Sequence, residues 1–94
     1  MEQEESKVTR VVREAVVKAA EKGEDVKTKV GEITRETVKK ALEKTEPTKE
    51  KVEAIAKDAM KGVIHGGQEA KVKAAELTKE AAQGIIEGTK YNEF

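Results

Sequence analysis

The sequence predicts an all-α protein in which four short helices form an up-down antiparallel bundle built from four 22-residue repeats. From Val8 onward the chain divides into three rows of 22 residues and a last row of 21, which align without a gap. Apolar residues recur in these rows at positions 1, 4, 8, 9, 12 and 13, the spacing of one face of an α-helix. Position 16 is Gly23, Thr45, Gly67 or Thr89, and glycine is the usual residue just past a helix end. Each row therefore predicts one helix followed by a turn.

Four helices joined by short turns are expected at residues 5–22, 25–44, 48–65 and 69–88. Pro47 lacks an N–H group and suits the start of a helix, and Thr48 after it is a candidate N-cap. The third helix is expected to end in the stretch 62-GVIHGGQEA-70, where Gly66–Gly67 would make the bend. His65 would then lie on the last helical turn, on the solvent side, where a cation interacts with the terminal carbonyl groups.

A second architecture stays open, in which two long helices meet at Pro47 and form a hairpin that dimerises to cover its apolar side. Both architectures are two-fold in character, because the first half of the chain corresponds to the second at an offset of 44 residues. In either case residues 1–94 are expected to form a single helical domain, with an acidic tail at 1–5 and a C-terminal tail at 90–94.

Three glycines fall inside the predicted helices, at Gly31, Gly62 and Gly84. Each costs a helix about 1 kcal/mol relative to alanine. They indicate either weak helix formation or a close approach of two helices at a small-residue contact.

The composition limits the classes of function. Apolar residues make up 36% of the chain and aromatic residues 2%, which predicts a thin core that a second copy or a partner would complete. Nineteen bases balance nineteen acids, so the chain as a whole lacks the basic surplus that nucleic-acid binding needs. The one basic stretch is residues 7–22, which contain Lys7, Arg10, Arg13, Lys18 and Lys22. The segment MEQEES does not resemble a signal peptide and cysteine is missing, so we expect a cytoplasmic protein.

Few residues are of the kind that carry chemistry, and we expect no enzyme, cofactor or metal site. Ser6 is the only serine, and His65 is a lone histidine without cysteine ligands nearby. The two aromatic residues, Tyr91 and Phe94, lie in the C-terminal tail. Tyr91, Phe94 and His65 are therefore candidates for contact with a partner rather than for catalysis.

Three segments resemble the eleven-residue repeats of synucleins and of late-embryogenesis-abundant proteins: 26-VKTKVGEITRE-36, 60-MKGVIHGG-67 and 76-ELTKEAAQGIIEGT-89. The punctuated 22-residue period is similar to that of exchangeable apolipoproteins. The resemblance implies chains that are loosely ordered alone and become helical on lipid surfaces or on drying.

Together these observations favour a small structural or protein-interaction module, acting by self-association or through a protein partner. The alternative is a protein that adsorbs reversibly to a membrane surface or protects other molecules under stress, as the resemblance implies.

Overall fold

The protein is all-α, with four helices: α1 Lys7–Glu21, α2 Val26–Glu43, α3 Lys49–Ala70 and α4 Ala74–Lys90. The structure, a computed structural model, describes residues 5–46 and 48–90, and none of these residues lies in a strand. The predicted four-helix architecture is confirmed. Pro47, Tyr91 and Phe94, which carried predictions of their own, lie outside the described residues.

Hydroxyl side chains cap the N-termini of two of the helices. The Ser6 hydroxyl accepts a hydrogen bond from the Thr9 N–H group at the start of α1, and Thr48 accepts one from Lys51 at the start of α3. Each satisfies a backbone donor that has no partner within its own helix. The prediction that Thr48 is an N-cap is confirmed.

The turns after α1 and α3 share one hydrogen-bond pattern. Gly23, at φ +74°, donates its N–H to Ala20, and Glu24 donates to Ala19. After α3, Lys71 takes the equivalent left-handed position at φ 62° and donates to Gln68, while Val72 donates to Gly67. Paired bonds of this kind satisfy the last carbonyl groups of a helix.

The bend predicted at Gly66–Gly67 is wrong, because α3 continues through both glycines to Ala70. His65 therefore lies before the final turn, exposed on α3, and α4 begins at residue 74 rather than 69. Both glycines are buried, Gly66 against Val16 of α1 and Gly67 against Leu77 of α4. Tertiary packing thus outweighs the cost of placing glycine in a helix, which is about 1 kcal/mol per residue relative to alanine.

Successive helices alternate in direction, but the closest packing joins helices that are not consecutive. α1 packs most closely against α3, and α2 against α4. Both pairs are parallel: in the first pair Thr9 contacts Asp58 in the middle of α3, and further along both helices Val16 contacts Gly66. α2 also contacts α1 and α3, α3 contacts α4, and the described parts of α1 and α4 are not packed closely against each other.

The core between the helices is built from small aliphatic residues. Its fully buried members include Val12 and Val16 of α1, Val38 and Leu42 of α2, and Leu77 of α4. No helix in the described part of the chain is long and apolar enough to cross a bilayer.

Candidate protein-interaction surface

Helices α1 and α3 approach each other closely at two glycines of α3. A Cβ atom placed on Gly62 would lie 2.6 Å from the carbonyl oxygen of Thr9 and 2.7 Å from the Cβ atom of Val12. One placed on Gly66 would lie 2.8 Å from the Cβ atom of Val16. Any larger residue at these two positions would force the helices apart.

The α2–α4 contact repeats this arrangement 22 residues further along. Gly84 faces Gly31 and Thr34, and a Cβ atom on Gly88 would lie 3.0 Å from the Cβ atom of Val38. The close-approach interpretation is therefore the correct one for Gly62 and Gly84. Gly31 serves the same contact from the other side, through its backbone.

Polar groups reinforce the α1–α3 contact at its edges. The Thr9 hydroxyl donates to the carbonyl oxygen of Asp58 over 2.8 Å. Arg13 forms ion pairs with Glu5 at 2.7 Å and with Glu69 of α3 at 3.1 Å. The hydrogen bonds between Arg13 and Glu5 lower the pKa of the Glu5 carboxyl and raise the pKa of the guanidinium.

Each helix has an apolar side that packs against the other helix of its pair. Helices α1 and α2 also have a second side that is open to solvent. The first depression on this open side, about 220 Å³ in volume, lies between the start of α1 and the end of α2. Val8, Val11, Thr37 and Ala41 form its floor. Its edge carries Lys7, Lys40, Lys44 and Glu36.

A second depression of about 170 Å³ lies between the end of α1 and the start of α2. Its lining residues are Ala15, Lys18, Ala19, Lys22, Glu24, Lys29 and Ile33. We call the two depressions together the α1–α2 face. It combines an apolar floor with a lysine edge, and Val11 within it is 41% exposed.

The sequence pattern predicts that much of this face is part of the core. The periodicity assigned Val11 and Ile33 to the buried side, but Val11 is exposed and Ile33 only half-buried. The reason is the glycine contacts, which turn Val12 of α1 and Thr34 of α2 inward instead. Rotation by one residue, about 100°, carries the preceding position outward.

Among the predicted site residues, only His65 falls in the described part of the chain, and it lies on α3, away from the residues that line the α1–α2 face. The structure separates the basic residues of α1, because Arg13 is turned toward α3 while Lys7 and Lys18 edge the face. Within residues 5–46 and 48–90 no group of three or more His, Cys, Asp or Glu side chains could hold a metal ion.

Sequence reasoning missed the second half of the face, contributed by Lys40 and Lys44 of α2. A signal for it is present at the offset of 44 residues. Each of the four glycines at the helix contacts has a lysine 44 residues before it. The pairs are Lys18 and Gly62, Lys22 and Gly66, Lys40 and Gly84, and Lys44 and Gly88. Glycine marks the packed side of α3 and α4, and lysine marks the open side of α1 and α2.

Comparison with known proteins gives no relative: no protein-family model, no curated protein and no solved structure matches the chain.

Proposed function

We propose that this chain is a cytoplasmic, non-enzymatic helical module that binds another protein through the α1–α2 face. The observation that carries the proposal is the exposed apolar floor around Val11. The equivalent residue in the second half of the chain is covered, because it packs against the core. At the offset of 44 residues, Val11 corresponds to Ile55, which packs against the core, whereas Val11 itself is exposed. Contiguous apolar surface with a polar edge is typical of interaction sites, and here Val8, Val11 and Ala41 adjoin in one depression that lysines surround.

The size of the depressions favours a protein partner over a small molecule. Pockets that enclose small ligands usually measure about 300–1,000 Å³. The two depressions, at about 220 and 170 Å³, are smaller and shallow. Each suits one apolar side chain of a partner, with lysine stems covering its flanks.

The fold supports binding by a preformed surface. The helix pairs of α1 with α3 and of α2 with α4 bury their contact sides within one chain. A protein that adsorbs to lipid as separate helices would have to open these contacts. We therefore expect strong helicity and a cooperative thermal transition in plain buffer, read by far-ultraviolet circular dichroism. Low helicity that rises sharply with anionic vesicles would contradict the proposal and favour the surface-adsorbing alternative.

The binding itself is tested by photo-crosslinking with benzoylphenylalanine in place of single residues. Val11 is the site on the face, and Ile86, 54% exposed on α4, is the matched control off the face. The proposal predicts an adduct of one defined mass in the source cell from position 11 and not from position 86. Equal labelling from both positions, or none from position 11, would contradict it.

A further inference from the structure

We infer that the partner on the α1–α2 face is an acidic amphipathic helix of another protein, docked along the groove between α1 and α2. This inference rests on the proposed function and deepens it by assigning the chemistry of the partner. It is carried by the charge of the face, by the positions of its lysines and by the spacing of its two depressions.

The face is strongly basic on a chain whose net charge is zero. The residues that line the two depressions include two glutamates, Glu24 and Glu36, and six lysines. The lysines are Lys7, Lys18, Lys22, Lys29, Lys40 and Lys44. Lys29 is paired with Glu24 and Glu32, at 3.7 and 3.5 Å. The other five have no ion pair within residues 5–46 and 48–90, and their ammonium groups are left to face an incoming partner.

The lysines also determine how closely a helix can approach. Lys40 and Lys44 correspond to Gly84 and Gly88, the residues that allow α4 to touch the backbone of α2. The long side chains of Lys40 and Lys44 prevent a docked helix from approaching the backbone of α2 this closely on its open side. A docked helix must stay further away, and its acidic side chains then meet the ammonium groups along the edges of the groove.

The spacing of the depressions predicts the pattern of apolar residues on the partner. On α1 and its C-cap residue Lys22, the lining residues fall within Lys7–Val11 in the first depression and within Ala15–Lys22 in the second. At a rise of 1.5 Å per residue, the centres of these two segments are about 14 Å apart along the helix axis, a separation nearer to three helical turns than to two. The partner helix should therefore present two large apolar residues three turns apart, flanked by Asp and Glu.

Charge also decides against a second copy as the occupant. Two copies that met through the same face would bring lysine edges against lysine edges, which is destabilising. An acidic helix satisfies those edges without change to the fold. An anionic membrane offers negative charge too, but a flat surface does not fill two separate depressions.

The inference is tested with three fluorescent helical peptides that share two leucines three turns apart and differ in their flanking residues, which are Glu, Gln or Lys. Fluorescence anisotropy at physiological salt measures the affinity of each. We expect the Glu peptide to bind roughly tenfold or more tightly than the Gln peptide, because several edge ion pairs add together, and the Lys peptide to show no binding.

Matched variants locate the site. Lys40→Glu with Lys44→Glu should abolish binding of the Glu peptide, whereas the equally spaced, exposed pair Lys57→Glu with Lys61→Glu on α3 should leave it unchanged. Val11→Asp should also abolish binding. Circular dichroism confirms that each variant remains folded.

Equal binding of the Glu, Gln and Lys peptides, binding of none, or loss in the α3 control pair would overturn the inference. So would displacement of the peptide by vesicles of phosphatidylcholine and phosphatidylglycerol. Sedimentation of the protein alone as a dimer that Val11→Asp dissociates would overturn it in favour of a second copy. The proposed function fails separately, through the melting and crosslinking experiments, so the two failures are distinguishable.

Discussion

Replacing Gly62 by alanine tests the glycine contact between α1 and α3. The added Cβ atom would lie 2.6 Å from the carbonyl oxygen of Thr9, whereas ordinary contact begins near 3.4 Å. The helices must therefore separate locally by about 0.8 Å, and a gap of that size forfeits a quarter to a half of each dispersion contact across it. Such overpacking costs about 3 kcal/mol, and the better helix propensity of alanine returns about 1 kcal/mol. We expect a net loss of about 2 kcal/mol in the free energy of unfolding.

Thermal melts followed by far-ultraviolet circular dichroism measure this loss, which should lower Tm by roughly 8–16 °C in a domain of this size. Gly31→Ala is the matched control, since Gly31 is also helical but its added Cβ atom would lie an acceptable 3.5 Å from the Glu80 carbonyl oxygen. That variant should gain about 0.5–1 kcal/mol from helix propensity. If the two variants change stability in the same direction, the reasoning about close approach is wrong.

Three further changes test other parts of the fold. Lys71→Gly should stabilise the protein by about 1 kcal/mol in urea unfolding, because Lys71 occupies the left-handed region that glycine enters without cost; no gain would count against the turn. Thr9→Val should cost about 1 kcal/mol by removing the hydroxyl that joins α1 to α3, and an unchanged midpoint would show that this hydrogen bond is unimportant. Glu5→Gln should lower Tm at neutral pH, where the ionised Glu5 pairs with Arg13. Because this pairing lowers the folded-state pKa of Glu5, the stabilisation is present above the ordinary pKa of about 4.5 and is lost as the pH falls through the folded value. The difference from the unchanged protein should therefore disappear in strong acid, and a difference that persists there would exclude the ion pair as its cause.

Much of the helical structure could be predicted from local features of the sequence. The helical periodicity places α1 and α2 to within two residues at each end, and Gly23 and Thr48 act through backbone chemistry that needs no knowledge of the fold. The end of α3 could not be predicted in this way, since Gly66–Gly67 looks like a bend. Only contact with Val16 and Leu77 makes the two glycines helical.

The candidate surface was harder to predict than the helices. Its lysines are visible in the sequence, but the periodicity alone places Val11 in the core, because it assumes that the most apolar side of each helix faces inward. Packing of α1 over Gly62 selects a neighbouring side, on which Val12 is buried. The helix that packs against α1 determines which side of α1 stays open. That helix, α3, is distant from α1 in the sequence.

The most direct test of the account is the pattern of nuclear Overhauser effects in solution. Parallel pairing over glycine predicts cross-peaks from the α-protons of Gly62 to the Val12 methyl groups and from those of Gly66 to the Val16 methyl groups. It predicts equivalent cross-peaks from Gly88 to Val38 in the second pair. If these cross-peaks are missing, and the same α-protons instead contact only consecutive helices, then the glycine pairing and the open face derived from it are both contradicted.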